Sequence, residues 1–310
     1  MDRPDTSRLR VNFQLLALFD RVAKERTIAG AARHLGLSAS MATRKIASLE
    51  RAMNVRLFQR TTRSMRLTES GMIALDWARE VLASYETVSD DMAVVQDQPS
   101  GIVRLASNEH TATVWLPEFL DSFSRRYPEI RYAISNTDAL VDLREFEYDL
   151  AIHTGRIPDS SVIGIRLRDV ERILCASPSY LDRLGRPTRP EHLADHDCLI
   201  HLPTEPGNWF FRHGKRLIGQ TVKQAIISDS YLPLMEFARK GLGILRMGRQ
   251  AVQDDLESGR LVRVLPDYKC VYPTGEVPGI WLLYPNRRLT RRTRVFADAL
   301  AEYIRKRPRK

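Results

Sequence analysis

Short hydroxyl side chains and arginines recur between residues 27 and 63, at spacings that place several of them on one face of a helix. Ser40, Thr43 and Arg44 lie three and four positions apart, so a helix would present them side by side. Hydroxyl and guanidinium groups near a helix N-terminus hydrogen-bond with base edges and phosphate oxygens. This is the chemistry of DNA recognition rather than of catalysis. The candidate contacts are Thr27, Ser38, Ser40, Thr43, Arg44, Arg60, Thr62 and Arg63.

Two helical patterns separated by a tight turn position these side chains. Thr27 and Ser38 each precede a helical pattern and can cap it, because their hydroxyl oxygens accept hydrogen bonds from free N–H groups. Gly36 supplies the turn, since glycine tolerates a positive φ. The second pattern buries Ile46 and Leu49 and leaves its hydroxyl and arginine side chains on the opposite face. This order is typical of a DNA-binding helix-turn-helix.

A short hairpin follows the two helices. Strands are predicted at residues 55–58 and 65–67, and the polar connection between them carries Arg60 and Arg63. Cations at the tip of such a hairpin are placed to contact a phosphate backbone. These elements predict a winged helix-turn-helix over residues 1–68, whose second helix enters the major groove. An ordinary helical hairpin with a solvated basic face is the alternative.

The charge distribution favours DNA as the partner of the N-terminal region. Residues 1–68 hold 14 Lys and Arg against 5 Asp and Glu, a net charge of +9. Residues 287–310 carry +8 and residues 69–286 carry −7, against +10 for the whole chain. A basic module on an acidic body is expected to bind DNA at one end. The basic C-terminal tail is explained more simply as a solvated helix end.

Composition bounds the class of protein. A chain of 310 residues with 43% hydrophobic and 28% charged residues predicts two or three soluble domains. No apolar run approaches the roughly 20 residues of a membrane span, and we see no signal peptide. Cys175, Cys198 and Cys270 are odd in number and widely spaced, which indicates reduced thiols in a cytoplasmic protein. Redox sensing by one of them is the alternative.

A long helical pattern follows the hairpin. Apolar side chains recur every three or four positions along residues 69–96, which predicts a helix of roughly 40 Å at 1.5 Å per residue. The stripe consists of Ile73, Trp77, Val81, Tyr85, Val88, Met92 and Val95. Because no neighbouring segment offers a partner helix, we expect residues 69–98 to be a linker that pairs with its copy in a second chain. Packing against its own chain is the alternative.

The remainder of the chain, residues 99–310, alternates strand and helix patterns after a break at residues 98–101. Such alternation predicts an α/β body built on mostly parallel sheets. Two similar lobes with crossing connections would leave a cleft between them. Small molecules bind at the carboxyl ends of such strands.

Five segments together resemble the LysR-type transcriptional regulators, and the resemblance runs over essentially the whole chain. They are AARHLGLSASMATRKIASLERAMNVRLFQRTTRSMRLTESG (31–71), DLAIHTG (149–155), CASPSYLDRLGRPTRPEHLADHDCL (175–199), KGLGIL (240–245) and SGRLVRVLPDY (258–268). The resemblance implies an α+β multi-domain protein. Its parts would be a winged helix-turn-helix, a linker helix, and a two-lobed α/β effector domain of periplasmic-binding-protein type. Lobe I would cover about 99–164 and 268–310, and lobe II about 165–267.

The resemblance also implies the partners. These would be double-stranded DNA, a small-molecule coinducer in the cleft, RNA polymerase, and further copies of the chain. The copies would form a dimer through the linker helix and a tetramer as a dimer of dimers. No membrane contact is expected.

Six residues are the candidate effector contacts. Ser107 and Asn108 follow the first strand of the body and precede a helix, where backbone N–H groups and short polar side chains favour anions. The resemblance places five positions at the cleft: Ser107, Thr137, His201, Asp229 and Arg246. A capping or turn role is the alternative for each.

Arg246 departs from the family pattern. The run GLGILRMG has Arg246 and Met247 where small or apolar residues and a proline are usual. An arginine facing the cleft would favour an acidic effector, whereas a surface position or an internal ion pair is the alternative. Ala39 and Thr43 also depart from the usual residues, which bears on the operator sequence rather than on DNA binding.

An enzyme is not supported by any catalytic motif. Walker A, HExxH and G-x-S-x-G are absent, and GLGILRMG has Arg246 where a dinucleotide loop needs glycine. His192 and His196 stand four apart, but one such pair without a third ligand is a weak metal signal. A solute-binding module without DNA would leave residues 26–68 unexplained. We expect neither catalysis nor a metal, and no cofactor besides the coinducer.

Overall fold

The computed structural model describes residues 11–60, 65–92, 98–137, 143, 148–157, 162–202, 207–285 and 289–307. The chain divides into two compact units, residues 1–96 and residues 97–310. The helix predicted as a separate linker therefore belongs to the first unit.

The first unit is a helix-turn-helix followed by a hairpin and a long helix. Its elements are α1 (Phe13–Glu25), α2 (Ile28–His34), α3 (Ala39–Met53), β1 (Phe58–Arg60), β2 (Met65–Leu67) and α4 (Glu69–Met92). All four helices contribute to one apolar core around Phe19. Ala31 and Ala32 are buried there, and their small side chains let α2 lie close to its neighbours.

Both predicted caps of the helix-turn-helix are confirmed. Thr27 Oγ1 accepts a hydrogen bond from Gly30 N at 3.2 Å, and Ser38 Oγ accepts one from Met41 N at 3.2 Å. Gly36 has a φ of 64°, in the left-handed region that favours glycine. The caps fix where α2 and α3 begin, and the glycine turns the chain between them.

The first strand of the hairpin lies later than the predicted residues 55–58. β1 covers Phe58–Arg60 and pairs antiparallel with β2, which lies where the sequence predicts it. Glu50 explains this later start, because its Oε1 accepts hydrogen bonds from Leu57 N at 2.9 Å and Phe58 N at 3.3 Å. The chain before Phe58 is thereby held against α3 and does not extend the ladder.

The long helix α4 has two apolar faces. One face packs into the core of the first unit through Ala74, Leu75 and Ala78, with Val81 partly buried beside them. The other face keeps most of the predicted stripe exposed. The exposed fractions are 69% for Ile73, 43% for Trp77, 53% for Tyr85, 49% for Val88 and 72% for Met92. Val95 lies outside the described residues. In a single chain, therefore, most of the stripe remains open to solvent.

The second unit is built on two five-stranded mixed sheets. Its strands are β3 (Gly101–Ser107), β4 (Ile130–Asn136), β5 (Leu150–Gly155), β6 (Val162–Asp169), β7 (Arg172–Ala176), β8 (Asp197–His201), β9 (Asn208–His213), β10 (Arg216–Thr221), β11 (Lys223–Ser228), β12 (Ile244–Gly248), β13 (Val262–Val264), β14 (Lys269–Val271) and β15 (Gly279–Pro285). Its α-helices are α5 (Leu116–Arg126), α6 (Pro178–Leu184), α7 (Tyr231–Arg239), α8 (Gln253–Glu257) and α9 (Arg291–Lys306). A π-helical turn (Thr111–Trp115) precedes α5, and 3-10 turns cover Pro190–Asp195 and Arg249–Val252.

The strand orders are β4-β3-β5-β15-β6 in the first sheet and β11-β8-β12-β7-β13 in the second. A third sheet, β10-β9-β14, has three strands. β3 pairs parallel with β4 and β5, whereas β15 runs antiparallel to β5 and β6. The prediction of mostly parallel sheets is therefore only partly right, because the strands next to the lobe crossings run antiparallel.

Each five-stranded sheet forms one lobe, and two connections join the lobes. β6 ends at Asp169 and β7 begins at Arg172, so the first crossing lies at residues 170–171. The predicted boundary after residue 164 is too early, because residues up to Asp169 pair with β15. The return crossing follows Val271 rather than starting at residue 268, because β14 still pairs with β9 in the second lobe.

Candidate DNA-binding surface and effector cleft

α3 presents one buried face and one polar face. Its buried residues are Ala42, Ile46 and Leu49. Ser40 and Arg44 lie exposed on the other side. Thr43 is half-buried, and its Oγ1 donates a hydrogen bond to Ala39 O at 2.9 Å, so its own helix already engages this hydroxyl. The exposed side of α3 thus offers a hydroxyl and a guanidinium one turn apart.

Arg44 is free to bind a ligand within the part of the chain that the structure describes. None of those residues forms a hydrogen bond or an ion pair with its guanidinium. At the start of the same helix, Ser38 Oγ lies 3.1 Å from Ser40 Oγ. Residues near the N-terminus of a recognition helix are those that reach base edges. Ser40 and Arg44 therefore lie together on the exposed side of α3, and their contact with DNA stays a prediction.

The other predicted DNA contacts lie beside α3 or outside the described residues. Thr27 uses its hydroxyl to cap α2. Arg60 ends β1 and its backbone pairs with Met65, but its side chain is not described. Thr62 and Arg63 fall outside the described residues. Their roles in DNA binding stay predictions.

A cleft of about 400 Å³ lies between the two lobes of the second unit. Its walls come from the segment after β3, the first crossing, the start of α7 and the segment after β12. Apolar side chains in the lining are Val114, Trp115, Leu232, Met235, Met247 and Ile280. Polar side chains include Asn108, Glu109, His110, Thr154, His201 and Gln250. A cavity of this size and mixed lining fits a small molecule.

Two of the six predicted effector contacts, Asn108 and His201, line this cleft. Contacts with neighbouring side chains fix the position of each. Asn108 Nδ2 donates to Thr154 Oγ1 at 3.1 Å, and Asn108 Oδ1 accepts from Thr111 N at 2.9 Å. The ring of His201 stacks on Tyr231 with centroids 3.7 Å apart. These contacts fix the shape of the wall that a ligand would meet.

Three further predicted contacts do not contribute to the lining. Ser107 is buried, and its hydroxyl donates to Asn108 O at 3.2 Å. Thr137 N donates to Ser107 O at 2.8 Å. Asp229 is exposed, and its carbonyl oxygen lies 3.2 Å from His201 Nε2. These contacts match the alternative of turn and strand-end roles.

Arg246 lies outside the cleft lining, contrary to its predicted position. Successive residues of a strand point to opposite faces of a sheet, and it is Met247 that lines the cleft. The guanidinium of Arg246 stands 5.1 Å from the centroid of the Trp209 ring, and the residue is 6% exposed. Arg246 therefore cannot serve as the cationic partner of an acidic effector in this cleft.

His110 is a lining residue that the sequence reasoning missed. Burial and then the charge of Arg307 lower the pKa of His110 to about 4, so its imidazole is neutral at pH 7. His110 Nε2 is buried and has no hydrogen-bond partner among the described residues. The ring meets Trp115 edge-on, with centroids 5.5 Å apart. No sequence signal separates this histidine from an ordinary one at a helix start.

The two histidines considered for a metal make separate contacts. His192 Nε2 accepts a hydrogen bond from Arg189 Nε at 2.8 Å, whereas His196 Nδ1 lies 3.2 Å from the Tyr180 hydroxyl. The described residues contain no group of three His, Cys, Asp or Glu side chains arranged to hold a metal ion. Nor do they contain a helix long and apolar enough to cross a membrane.

Two family models cover the two units of the chain. The model described as bacterial regulatory helix-turn-helix protein, lysR family, matches residues 13–72. The model described as LysR substrate binding domain matches residues 96–305. The chain belongs to the LysR family. It is therefore a DNA-binding transcriptional regulator with a domain for a small molecule.

Other LysR-family proteins are similar to this regulator over most of their length. The HTH-type transcriptional regulator YhjC of Escherichia coli (strain K12) is 32% identical over 92% of this chain and 95% of its own. The structure of CrgA, a LysR-type transcriptional regulator from Neisseria meningitidis, is 26% identical with a TM-score of 0.59. That match covers 95% of this chain and 99% of CrgA.

A third similar protein has been treated with a peroxide, a reagent that oxidises cysteines. The regulatory domain of AphB from Vibrio vulnificus, in a structure obtained after treatment with cumene hydroperoxide, is 26% identical with a TM-score of 0.51. The match covers 66% of this chain and 100% of that domain. In the LysR-family regulator described here, burial raises the pKa of Cys175 and Cys198 to about 12 and that of Cys270 to about 11. Since the thiolate is the reactive form, these thiols are expected to be inert at neutral pH.

Cumene hydroperoxide is expected to leave all three cysteines of the folded regulator unmodified at pH 7. Peptide mapping by mass spectrometry, which separates cysteine from methionine oxidation, measures this directly. The same treatment in guanidinium chloride is the control, because unfolding exposes the thiols and should make them reactive. Oxidation of any cysteine in the folded protein, at a rate near that in denaturant, would show that redox sensing was wrongly set aside.

Proposed function

We propose that α3 reads an operator in the major groove while a small molecule bound between the two lobes modulates transcription. The proposal that α3 binds DNA rests on its exposed face, where Ser40 and Arg44 lie opposite the buried core residues. The positive end of the α3 dipole lies at the Ser38 cap, two residues before Ser40, where it favours a phosphate. The operator affinity of the Arg44→Ala variant tests this part of the proposal.

The lining of the cleft indicates the kind of effector. Trp115, Met235 and Met247 offer apolar surface, while His110 and Gln250 offer polar atoms. The imidazole of His110 is neutral, so it adds no charge to this part of the lining. We therefore propose a small molecule with an apolar body and a few hydrogen-bonding groups. Arg246 lies outside the lining, but Arg168, Arg172 and Arg249 line the cleft together with Asp169 and Glu171, so the lining carries both signs of charge and does not select an acid.

Filling the cleft is expected to abolish the response to such a molecule. Leu232→Trp places a large side chain at the lining, and Leu242→Trp makes the same change at a leucine outside it; the two are 50% and 46% exposed. In a thermal-shift screen of small aromatic and polar metabolites, a true effector should raise the Tm of the wild type and of Leu242→Trp by several degrees. Leu232→Trp should show no shift with the same compound. Equal shifts in both variants would place the effector elsewhere.

We further propose that the regulator acts as a homodimer joined through α4. Most of the apolar stripe on this helix is exposed, and an equivalent stripe in a second chain would cover it. Two helix-turn-helix units would then reach two half-sites of a pseudo-palindromic operator. A tetramer made of two dimers, contact with RNA polymerase, and a cytoplasmic location complete the proposal by analogy with the family.

A further inference from the structure

The N-terminus of α7 is capped from the opposite lobe rather than by its own sequence. Ser230 occupies the cap position, but its side chain makes no capping hydrogen bond to α7. Helix N-termini carry free N–H groups and a partial positive charge, so an anion there is stabilising. α7 has a serine at the usual position and still takes its acceptor from elsewhere.

The acceptor is Glu109, which belongs to the first lobe. Its Oε2 accepts a hydrogen bond from Ser230 Oγ at 2.9 Å and from Leu232 N at 3.3 Å. Glu109 follows β3, while both donors lie at the start of α7 in the second lobe. Hydrogen bonds to a carboxylate are stronger than those between neutral groups. One side chain therefore ties the two walls of the cleft together.

Both ends of this contact are anchored. On the first lobe, Asn108 fixes the segment that carries Glu109 through its hydrogen bonds to Thr154 and Thr111. On the second lobe, His201 stacks on Tyr231, the first residue of α7. A displacement of one wall relative to the other would therefore break the contact rather than be absorbed by a loose side chain.

Among the lining carboxylates that the structure describes, Glu109 is the one whose hydrogen bonds join the first lobe to the second. Asp169 pairs with Arg166 on the same strand. Glu171, in the crossing segment, pairs with Arg249 and Arg263, both in the second lobe. Neither bridges from one lobe wall to the other, so the bridging role belongs to Glu109 within this set.

We propose that Glu109 is an interlobe latch: its carboxylate caps α7 across the cleft and holds the two lobes at the spacing seen in the structure. An effector entering the cleft must act on lobes that are already connected. An effector that strengthens the latch favours the latched spacing, and one that separates its two sides favours separated lobes. The regulatory consequence rests on the proposed effector cleft, whereas the latch itself rests on the two hydrogen bonds.

The latch is tested by measuring the distance between the lobes without DNA or effector. Spin labels on cysteines introduced at Glu129 in the first lobe and Lys215 in the second, both exposed, report this distance by pulsed electron spin resonance. The native cysteines are buried with raised pKa, which favours labelling of the introduced sites. Dilution with unlabelled full-length protein keeps each measured pair within one chain.

Glu109→Ala is expected to shift the ratio of separated to latched lobes by about tenfold, the scale of a lost charge-assisted hydrogen-bond pair. Acetate at tens of millimolar should restore the wild-type distances in Glu109→Ala, because it can enter the vacated space as an external cap. Glu109→Gln keeps the shape without the charge and should give a smaller shift that acetate does not reverse. Glu171→Ala, which removes a lining carboxylate bonded on one side only, is the matched control and should keep the wild-type distances.

The proposal is overturned if Glu109→Ala and Glu109→Gln both give the wild-type distance distribution. It is also overturned if acetate moves Glu109→Ala and Glu171→Ala equally. If Glu109→Ala does not fold, the distribution of Glu109→Gln decides. Because no DNA or effector is present, failure of the latch and failure of the proposed regulator function are distinguishable.

Discussion

Arg44→Ala is expected to weaken binding to the operator by about 100-fold or more. A good arginine contact to a base pair contributes about 1–3 kcal/mol, and a dimer loses it in both half-sites. Arg44 is exposed and makes no hydrogen bond or ion pair with the described residues, so its removal should leave the fold of the first unit intact. Fluorescence anisotropy with the operator duplex measures the loss, and circular dichroism checks the fold.

The matched control for this variant is Arg125→Ala. Arg125 is also an exposed arginine, but it lies in the second unit and pairs with Asp121. Both variants lower the net charge of the chain by one, so an effect of net charge alone would appear in both. We expect Arg125→Ala to bind as the wild type does. An Arg44→Ala protein with wild-type affinity would remove this residue from the reading surface.

Trp77→Glu is expected to convert the regulator from a dimer to a monomer and to abolish tight operator binding. Trp77 lies in the exposed stripe of α4 and is 43% exposed in the single chain. A carboxylate there would be buried without a partner in the proposed dimer, which costs several kcal/mol. Sedimentation velocity at micromolar concentration measures the oligomeric state. A monomer can occupy only one half-site, so it loses the gain in affinity that comes from two linked sites. Operator affinity should therefore fall by at least about 100-fold.

Met72→Glu is the control on the same helix. Met72 is exposed and lies about 140° around the helix from Trp77, at 100° per residue, so it is off the stripe. It introduces the same charge and should leave the dimer unchanged in sedimentation velocity. If Trp77→Glu sediments as the wild type does, α4 is not the dimer contact and the stripe needs another explanation.

Local chemistry made the first unit predictable from sequence. The caps Thr27 and Ser38 and the turn at Gly36 depend on residues within a few positions, and the structure confirms all three. The start of the first strand was wrongly predicted because of Glu50, which accepts hydrogen bonds from backbone N–H groups seven and eight positions away. Contacts at that range are not visible in propensity or periodicity.

The cleft was less predictable, because its residues come from distant parts of the chain. Glu109 and Ser230 are separated by 121 positions, and no pattern near either one indicates their contact. The prediction also placed Arg246 in the lining, where the structure has its neighbour Met247. A strand alternates its faces at every residue, so placing a site one position off moves the side chain to the other side of the sheet.

The hairpin of β9 and β10 could have been predicted from a local signal. The segment WFFRH (209–213) belongs to β9, which pairs with β10 across a turn at Gly214 with φ of 57°. Trp209 and Phe211 of this strand are buried in the second lobe. The His-Gly-Lys turn was the signal available in the sequence.

The proposed function depends above all on the Ser38-capped helix α3 reading DNA sequence. The most direct measurement is the affinity of the full-length protein for the duplex upstream of its own gene, compared with a scrambled duplex of equal length over a range of salt concentrations. We expect a preference of at least about 1,000-fold for the upstream duplex, with both affinities falling as salt rises. Equal affinity for the two duplexes at every salt concentration, with the first unit folded, would show that α3 does not read DNA sequence.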